Sequence, residues 1–287
     1  MSYLFHLLIL INIYGILAIS LYPLVSLTGL MSVAHAALFG IGAYTTAIMS
    51  VNLGTPWFLN VGVGVVGAVI VSCAVSLPSA RLHEDYFVIA TFAFQMVVFS
   101  VLNNWMSVTR GPQGIPNIPA LVLFGHRVTT APGFVSLSFA ILALSYCIVE
   151  RISKSPMGRV LRAIREDEVF AQTLGKDTGR AKVVIFAVSA ALAAAAGSVY
   201  AHYVTYIEPT AFTINESILV LLMVILAGGE KTWGPLVGSA VLLVIPELLR
   251  MFGLPSAIGA NVRQIVYGCV LVVLMMLRPR GVGTRAQ

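Results

Sequence analysis

Apolar residues along this chain come in long runs bounded by Gly, Pro or charge, with none of the short alternation that marks half-buried strands. The runs fall near 3–21, 24–50, 58–77, 86–102, 134–150, 183–206, 216–228, 235–252 and 262–277. Each except the seventh approaches the roughly 20 residues a bilayer-spanning helix needs. The pattern therefore predicts an all-α polytopic membrane protein with about eight to ten transmembrane helices. The second run is long and carries Gly29, Gly40 and Gly42. Together with the short seventh run this predicts one broken or re-entrant helix, packed on most sides by protein.

Two intervening stretches are too long to be turns. The outer one, 103–133, holds Gly111-Pro112, Gly114, Pro116, Pro119 and Pro132-Gly133, a turn-rich surface segment. The inner one, 151–182, begins differently. Ser155-Pro156 places a side-chain acceptor at a helix cap and a proline at the first helical position. Met157, Val160, Leu161, Ile164, Ala171 and Leu174 then recur at three and four residues, and Gly175 is a stop signal. The spacing predicts one amphipathic helix whose other face carries Arg159, Arg162, Arg165, Glu166 and Asp167.

Composition fixes the environment. Of 287 residues, 59% are apolar and 10% charged, with mean hydropathy +0.95. Soluble domains carry about 25% charged residues, so this surface is met by lipid. The length leaves room for a single transmembrane domain over 1–287 and excludes a separate catalytic head. Met1 to His6 carry no Lys or Arg ahead of the apolar stretch, unlike a cleaved signal peptide. Cys73, Cys147 and Cys269 lie far apart inside apolar runs and read as packing residues.

Charge then orients the chain. Arg151, Lys154, Arg159, Arg162, Arg165, Lys176, Arg180 and Lys182 crowd the inner loop, which the positive-inside rule places in the cytoplasm. Alternation puts Arg81, Lys231 and the tail Arg278, Arg280 and Arg285 on the same side, with the C-terminus cytoplasmic and, for an odd count, the N-terminus outside. The net charge of +6 thus reflects a membrane partner and not nucleic acid.

Candidate chemistry is sparse. No Gly-x-x-x-x-Gly-Lys-Ser/Thr loop occurs, so the chain has no phosphate-cradling ATP site of its own. Glu247 is the one carboxylate well inside a run, with Arg250 a turn away, and Glu150, Glu208 and Glu216 sit at run edges. An ion-driven carrier keeps ionisable groups at membrane depth, which makes a secondary carrier, like an intramembrane enzyme, the weaker alternative. No metal-ligand cluster is visible. Polar residues near glycines mark a candidate translocation pathway: Ser32, His35, Gly40, Gly42, Tyr44, Thr45 and Gln95. His35 reads first as an interhelical hydrogen bond, and His6, His202, Trp57, Trp105, Thr205 and Tyr206 as interfacial residues. The inner helix has two readings, an anionic-headgroup binder or a piece docked in a partner's groove. Glu166, Asp167, Glu168 and Asp177 interrupt its positive field and favour the second.

The stretch Gly158-Arg159-Val160-Leu161-Arg162-Ala163-Ile164-Arg165-Glu166-Asp167-Glu168, with Leu174-Gly175 and Lys182, resembles the cytoplasmic loop of ABC-importer permeases for branched-chain amino acids, in particular their M-type subunit. Ser32 through Tyr44 is similar to that family's glycine-rich second span. Arg81-Leu82, Asp85-Tyr86-Phe87, Thr109, Gly111-Pro112, Gly114-Ile115, Ile118-Pro119, Pro209, Phe212, Gly228-Gly229, Trp233-Gly234-Pro235 and Arg278-Pro279-Arg280-Gly281 follow in the family's order. The chain departs from it at Met31, Glu84 and Arg110. The resemblance implies a permease subunit of a bacterial inner membrane, without a cofactor of its own, that moves a small polar substrate by alternating access. It also implies partners: two cytoplasmic ATPase subunits holding ATP and Mg, a second permease of H type or a second copy, and an external substrate-binding protein. Gly158, Arg159, Val160, Leu161, Arg162, Ile164, Arg165, Glu166, Asp167 and Gly175 would then form the ATPase-coupling site, with the arginines setting register and Val160, Leu161 and Ile164 supplying the buried ridge.

Overall fold

The computed structural model describes residues 2–79, 84–123, 126–128, 130–228, 231–251 and Gly268. Among the described residues, seven helices are long and apolar enough to cross a membrane, and a shorter apolar helix, Gly234–Ile245, follows them. The predicted ninth run, 262–277, lies outside the described residues except for Gly268, as do Arg81 and the tail arginines. Among the described residues the fold is a helical membrane bundle with one short antiparallel strand pair.

Helix α1 (Ser2–Tyr22) continues into a π-helical turn, Pro23–Leu27, where Pro23 removes one ladder donor. The chain then leaves helical geometry until α2 (His35–Ile48), which itself ends in a wide turn, Met49–Leu53. This corrects the second predicted span. Residues 24–27 finish the first helix, and the break falls at Gly29, whose φ of +78° suits a residue without Cβ. Gly40 and Gly42, read as possible breaks, lie inside α2.

Helices α3 (Trp57–Ser79) and α4 (Glu84–Asn104) return the chain across the bundle. The turn-rich segment after them folds as expected, without a long helix. It contains a single turn α5 (Met106–Thr109), a 3-10 turn Gly111–Gln113, and antiparallel strands β1 (Leu121–Leu123) and β2 (His126–Val128). It is tied to the residues after α9 by Ile115 N–H donating to Ile207 O at 2.9 Å and Ile118 N–H to Thr205 O at 3.0 Å.

Helix α6 (Ala131–Lys154) leads to the inner segment. Here the predicted single helix is two: α7 (Pro156–Glu166) and α8 (Glu168–Thr173). Asp167 divides them because it adopts extended geometry and its Oδ1 accepts from Phe170 N–H at 2.9 Å, capping α8. Helix α9 (Thr178–Val204) is the longest at 27 residues and packs extensively against α2 and α3. Its Ala193, Ala194, Ala196 and Gly197 are buried, and small residues of this kind let apolar helices approach closely in lipid. Helix α10 (Ile214–Ala227) is short and is entered through a 3-10 turn, Pro209–Phe212. Helix α11 (Gly234–Met251) packs against α10 and α1.

Candidate functional site

Two helices start inside the bundle, and their starts meet. A helix start leaves four N–H groups without intrahelical partners, and lipid offers no water to satisfy them. At α2 the side chains of other helices do so. Ala36 N–H donates to Ser217 Oγ at 2.8 Å, Ala37 N–H to Gln95 Oε1 at 2.7 Å, and Val33 N–H to Thr91 Oγ1 at 3.3 Å. Gln95 Nε2 donates in turn to Phe212 O, at the end of the 3-10 turn before α10, at 2.8 Å, and Ser217 Oγ donates to Gln95 Oε1 at 3.2 Å. Ser32, His35, Thr91, Gln95 and Ser217 are all fully buried. One glutamine on α4 therefore joins the beginning of α2 to the 3-10 turn that leads into α10.

His35, the first residue of α2, joins this node to α9 through Nε2 and Ser189 Oγ, 3.3 Å apart. Ser189 Oγ donates its single proton to Ser20 O, so in its contact with His35 the hydroxyl is the acceptor and Nε2 the donor. Nδ1 is buried without a partner among the described residues, as are Tyr44 Oη and Thr46 Oγ1.

The remaining sequence-predicted pathway residues lie further along α2. Gly42 meets the backbone of Ala194 on α9, where a Cβ would overlap the Ala194 carbonyl. Gly40 sits under the Phe212 ring, with 3.1 Å available to an added Cβ. Both glycines thus serve close packing. Tyr44 meets Phe212 edge-on at 5.7 Å, and Phe39, Tyr200 and Phe212 complete an aromatic cluster. Thr45 is half-buried near Gly64 of α3. The structure brings Ser32, His35 and Gln95 to one node and Gly40 and Tyr44 to the Phe212 ring. Gly42 and Thr45 lie on the flanks of α2 toward α9 and α3. Sequence reasoning missed Thr91, Ser189, Phe212 and Ser217 as members of this site. Thr91 and Gln95 are four apart and share one face of α4, a signal that was available.

Glu216, expected at a run edge, occupies the first turn of α10 beside Ser217, and Tyr14 Oη halfway along α1 donates to it at 2.8 Å. His202, expected at the interface, is buried, its Nδ1 2.8 Å from Pro119 O. The Glu247–Arg250 pairing falls outside what is described, because the Arg250 side chain is not.

The second candidate surface is the inner helix pair. Ser155 caps α7 as predicted, its Oγ accepting from Gly158 N–H at 3.4 Å. Gly158 is required by close approach, since a Cβ there would overlap the Ser153 carbonyl. Leu161 and Ile164, predicted as a ridge for a partner, are instead 0% and 4% exposed, buried against this chain's own spans. Val160 is half-buried. Arg162 Nη2 donates to Ser153 O at 2.7 Å, and Arg165 Nη1 donates to Ser26 O at 2.7 Å. Arg159 and Glu166 are exposed, and Gly175 ends α8 with φ of +72°. Lys182 is buried and paired with Glu168 at 2.6 Å, which fixes α8 to α9. The exposed apolar residues are others: Val169, Phe170 and Leu174 are 69%, 60% and 60% exposed. Their signal was an apolar pair directly after the acidic triplet 166–168.

A bundle of seven spanning helices, with the starts of α2 and α10 meeting at a buried polar node and a braced helix pair beside them, defines a multi-pass membrane protein built to transport. Residues 3–275 match the family described as branched-chain amino acid transport system / permease component, and the chain belongs to that family. It is 30% identical over 292 residues to the high-affinity branched-chain amino acid transport system permease protein LivM of Escherichia coli K12, covering 94% of this chain and 67% of the relative. Identity to the LivH permease protein of the same organism is 24% over 290 residues, covering 94% and 90%. A probable LivM of Methanocaldococcus jannaschii is 29% identical over 227 residues, covering 76% and 64%. No solved structure matches the chain.

Proposed function

We propose that the chain is a transmembrane permease subunit of an ATP-driven ABC importer that passes branched-chain or related amino acids by alternating access. The observation carrying this reading is the inner helix pair, braced on the bundle and offering Val169, Phe170 and Leu174 outward, in a chain of a permease family. Apolar residues this exposed, rimmed by Arg159, Glu166 and Lys176, suit a groove on a soluble partner. The occupants are two ATPase subunits that hold ATP and Mg, since this chain has no phosphate-binding loop and no catalytic role of its own. Segment 103–133 receives an external substrate-binding protein, and an H-type permease or a second copy completes the channel. The setting is a bacterial inner membrane, with the α7–α8 side and the C-terminus in the cytoplasm.

In this mechanism the ATPases close on ATP and displace the inner pair as one rigid piece. Helix α2 is the natural mover, because its first N–H groups are held by side chains of α4 and α10 and not by a preceding helical ladder. Few fixed charges line the node, so substrate is released and not retained.

The chain is to be purified with its ATPase subunits and uptake measured across a panel of branched-chain amino acids, aromatic acids, urea and short amides. Val169→Asp with Phe170→Asp is expected to remove the ATPases and uptake while leaving the chain folded. A chain that transports alone, or ATPases retained on the double variant, defeats the reading.

A further inference from the structure

We propose that Arg165 is a positioning residue acting inward, the link through which movement of α7 reaches the break between α1 and α2. This rests on the importer reading above and assigns Arg165 away from the partner contact that its sequence pattern suggests.

The last carbonyls of a helix have no intrahelical partner, and a basic side chain near them is favoured by the helix dipole. Arg162 and Arg165 stand three apart on α7 and serve two such ends. Arg162 binds the carbonyl of Ser153, next to last in α6, and Arg165 that of Ser26, next to last in the turn that closes α1. The first contact joins α7 to a helix it already follows covalently after one residue, and so adds stiffness only. The second spans 139 positions in sequence and has no covalent equivalent.

What lies beyond Ser26 gives the contact its consequence. The Leu24 carbonyl is taken by Leu30 N–H at 3.0 Å and Thr28 Oγ1 at 2.5 Å, which folds the chain tightly out of the helix. Seven residues, Thr28 to Ala34, then connect to α2, whose first N–H groups are held by Gln95 and Ser217. Displacing α7 pulls the Ser26 carbonyl, then this short connector, then the node that joins α2 to α4 and α10. The buried Leu161 and Ile164 keep α7 seated, so the guanidinium sets direction and not adhesion.

The test uses the complete transporter in proteoliposomes with its ATPases and binding protein. Arg165→Ala is expected to lower uptake tenfold or more while the ATPases co-purify at the unsubstituted ratio and hydrolyse ATP within twofold of it. Arg165→Lys, which can still reach one carbonyl, is expected to recover uptake to within threefold. In a background with Cys73, Cys147 and Cys269 replaced by Ser, spin labels at Met31 and Leu53 are expected to change separation on adding ATP. With Arg165→Ala that change disappears, while a label at Lys176 still moves. Unchanged uptake in Arg165→Ala overturns the proposal. So does loss of the ATPases from that variant, which would return Arg165 to the docking contact. Should Arg165→Ala not reach the membrane, Arg165→Gln, shorter and uncharged, is read by the same labels with the same two overturning results. ATPases missing from the unsubstituted chain fail the importer reading itself, whereas a coupled unsubstituted transporter with an indifferent Arg165→Ala fails this link alone.

Discussion

Gln95 satisfies three groups at once, and its removal shows what the node is worth. Replacing it with Leu leaves the Ala37 N–H and the Phe212 carbonyl unpaired in a site that water does not reach. Each orphaned group costs about 1–3 kcal/mol, so Gln95→Leu is expected to lower the detergent melting temperature sharply. His35→Leu should cost less, because Ser189 keeps its acceptor at Ser20 and the substitution also removes a buried nitrogen that had no partner. Melting followed by tryptophan fluorescence orders the two variants, and a Gln95→Leu protein as stable as the parent would show that the node carries no load. Glu at the same position retains an acceptor for Ala37 but sets an oxygen against the Phe212 carbonyl, so it is not expected to restore stability.

At the scale of elements, the α2–α9 crossing depends on two glycines that face opposite backbones. A Cβ on Gly42 would overlap the Ala194 carbonyl, and one on Gly197 the Phe39 carbonyl. Main chain cannot swing aside as a side chain can, so Gly42→Ala must push the helices apart. Gly62 of α3 is the matched control, with nothing within 4 Å of an added Cβ, and there Ala gains helix propensity of about 1 kcal/mol. Thermal melts are expected to separate the two, Gly42→Ala downward and Gly62→Ala level or upward, and equal behaviour would contradict the crossing. These glycines also mark where the sequence stops being legible. Among the described residues, span positions other than the second followed from apolar runs and their Gly, Pro and charge boundaries, and the Ser155-Pro156 start of α7 followed from cap chemistry. Gly29 and Gly42 look alike in an apolar run, although one takes positive φ and ends a helix while the other stays helical and packs. Only the neighbour distinguishes them. Asp167 is a similar case: within Glu166-Asp167-Glu168 it reads as one more charge on a polar face, and its capping of Phe170 depends on a backbone turn that periodicity does not carry. The partner-facing ridge was misplaced for the same reason, since spacing shows that Leu161 and Ile164 share a face and not that this chain's own spans cover it.

For the whole molecule, the distribution of charge and the contacts between ends make one joint claim. The end of α1 at Ser26, the helix pair α7–α8 and the start of α9 lie together, bound through Arg165 and Lys182. The hairpin segment meets the residues after α9 through Ile115 and Ile207, so it belongs to the opposite end. Arg151, Lys154, Arg159, Arg162, Arg165, Lys176, Arg180 and Lys182 are all at the first end, against Arg110 and Arg127 in the segment at the second. Because basic residues resist translocation, the first end is expected to face the cytoplasm and Ser2 the outside. The alternation that follows would leave the link between α10 and α11 inside, with Lys231 on it. Two exposed positions test this without disturbing packing, Gln113 on the hairpin side and Lys176 after α8. In a chain whose native cysteines are replaced by Ser, a membrane-impermeant maleimide applied to intact cells is expected to label Gln113→Cys and spare Lys176→Cys, and opening the cells should expose the second. Labelling in the reverse order would turn the molecule over, place the exposed Val169, Phe170 and Leu174 away from any ATPase, and remove the physical basis for reading this chain as a motor-driven permease.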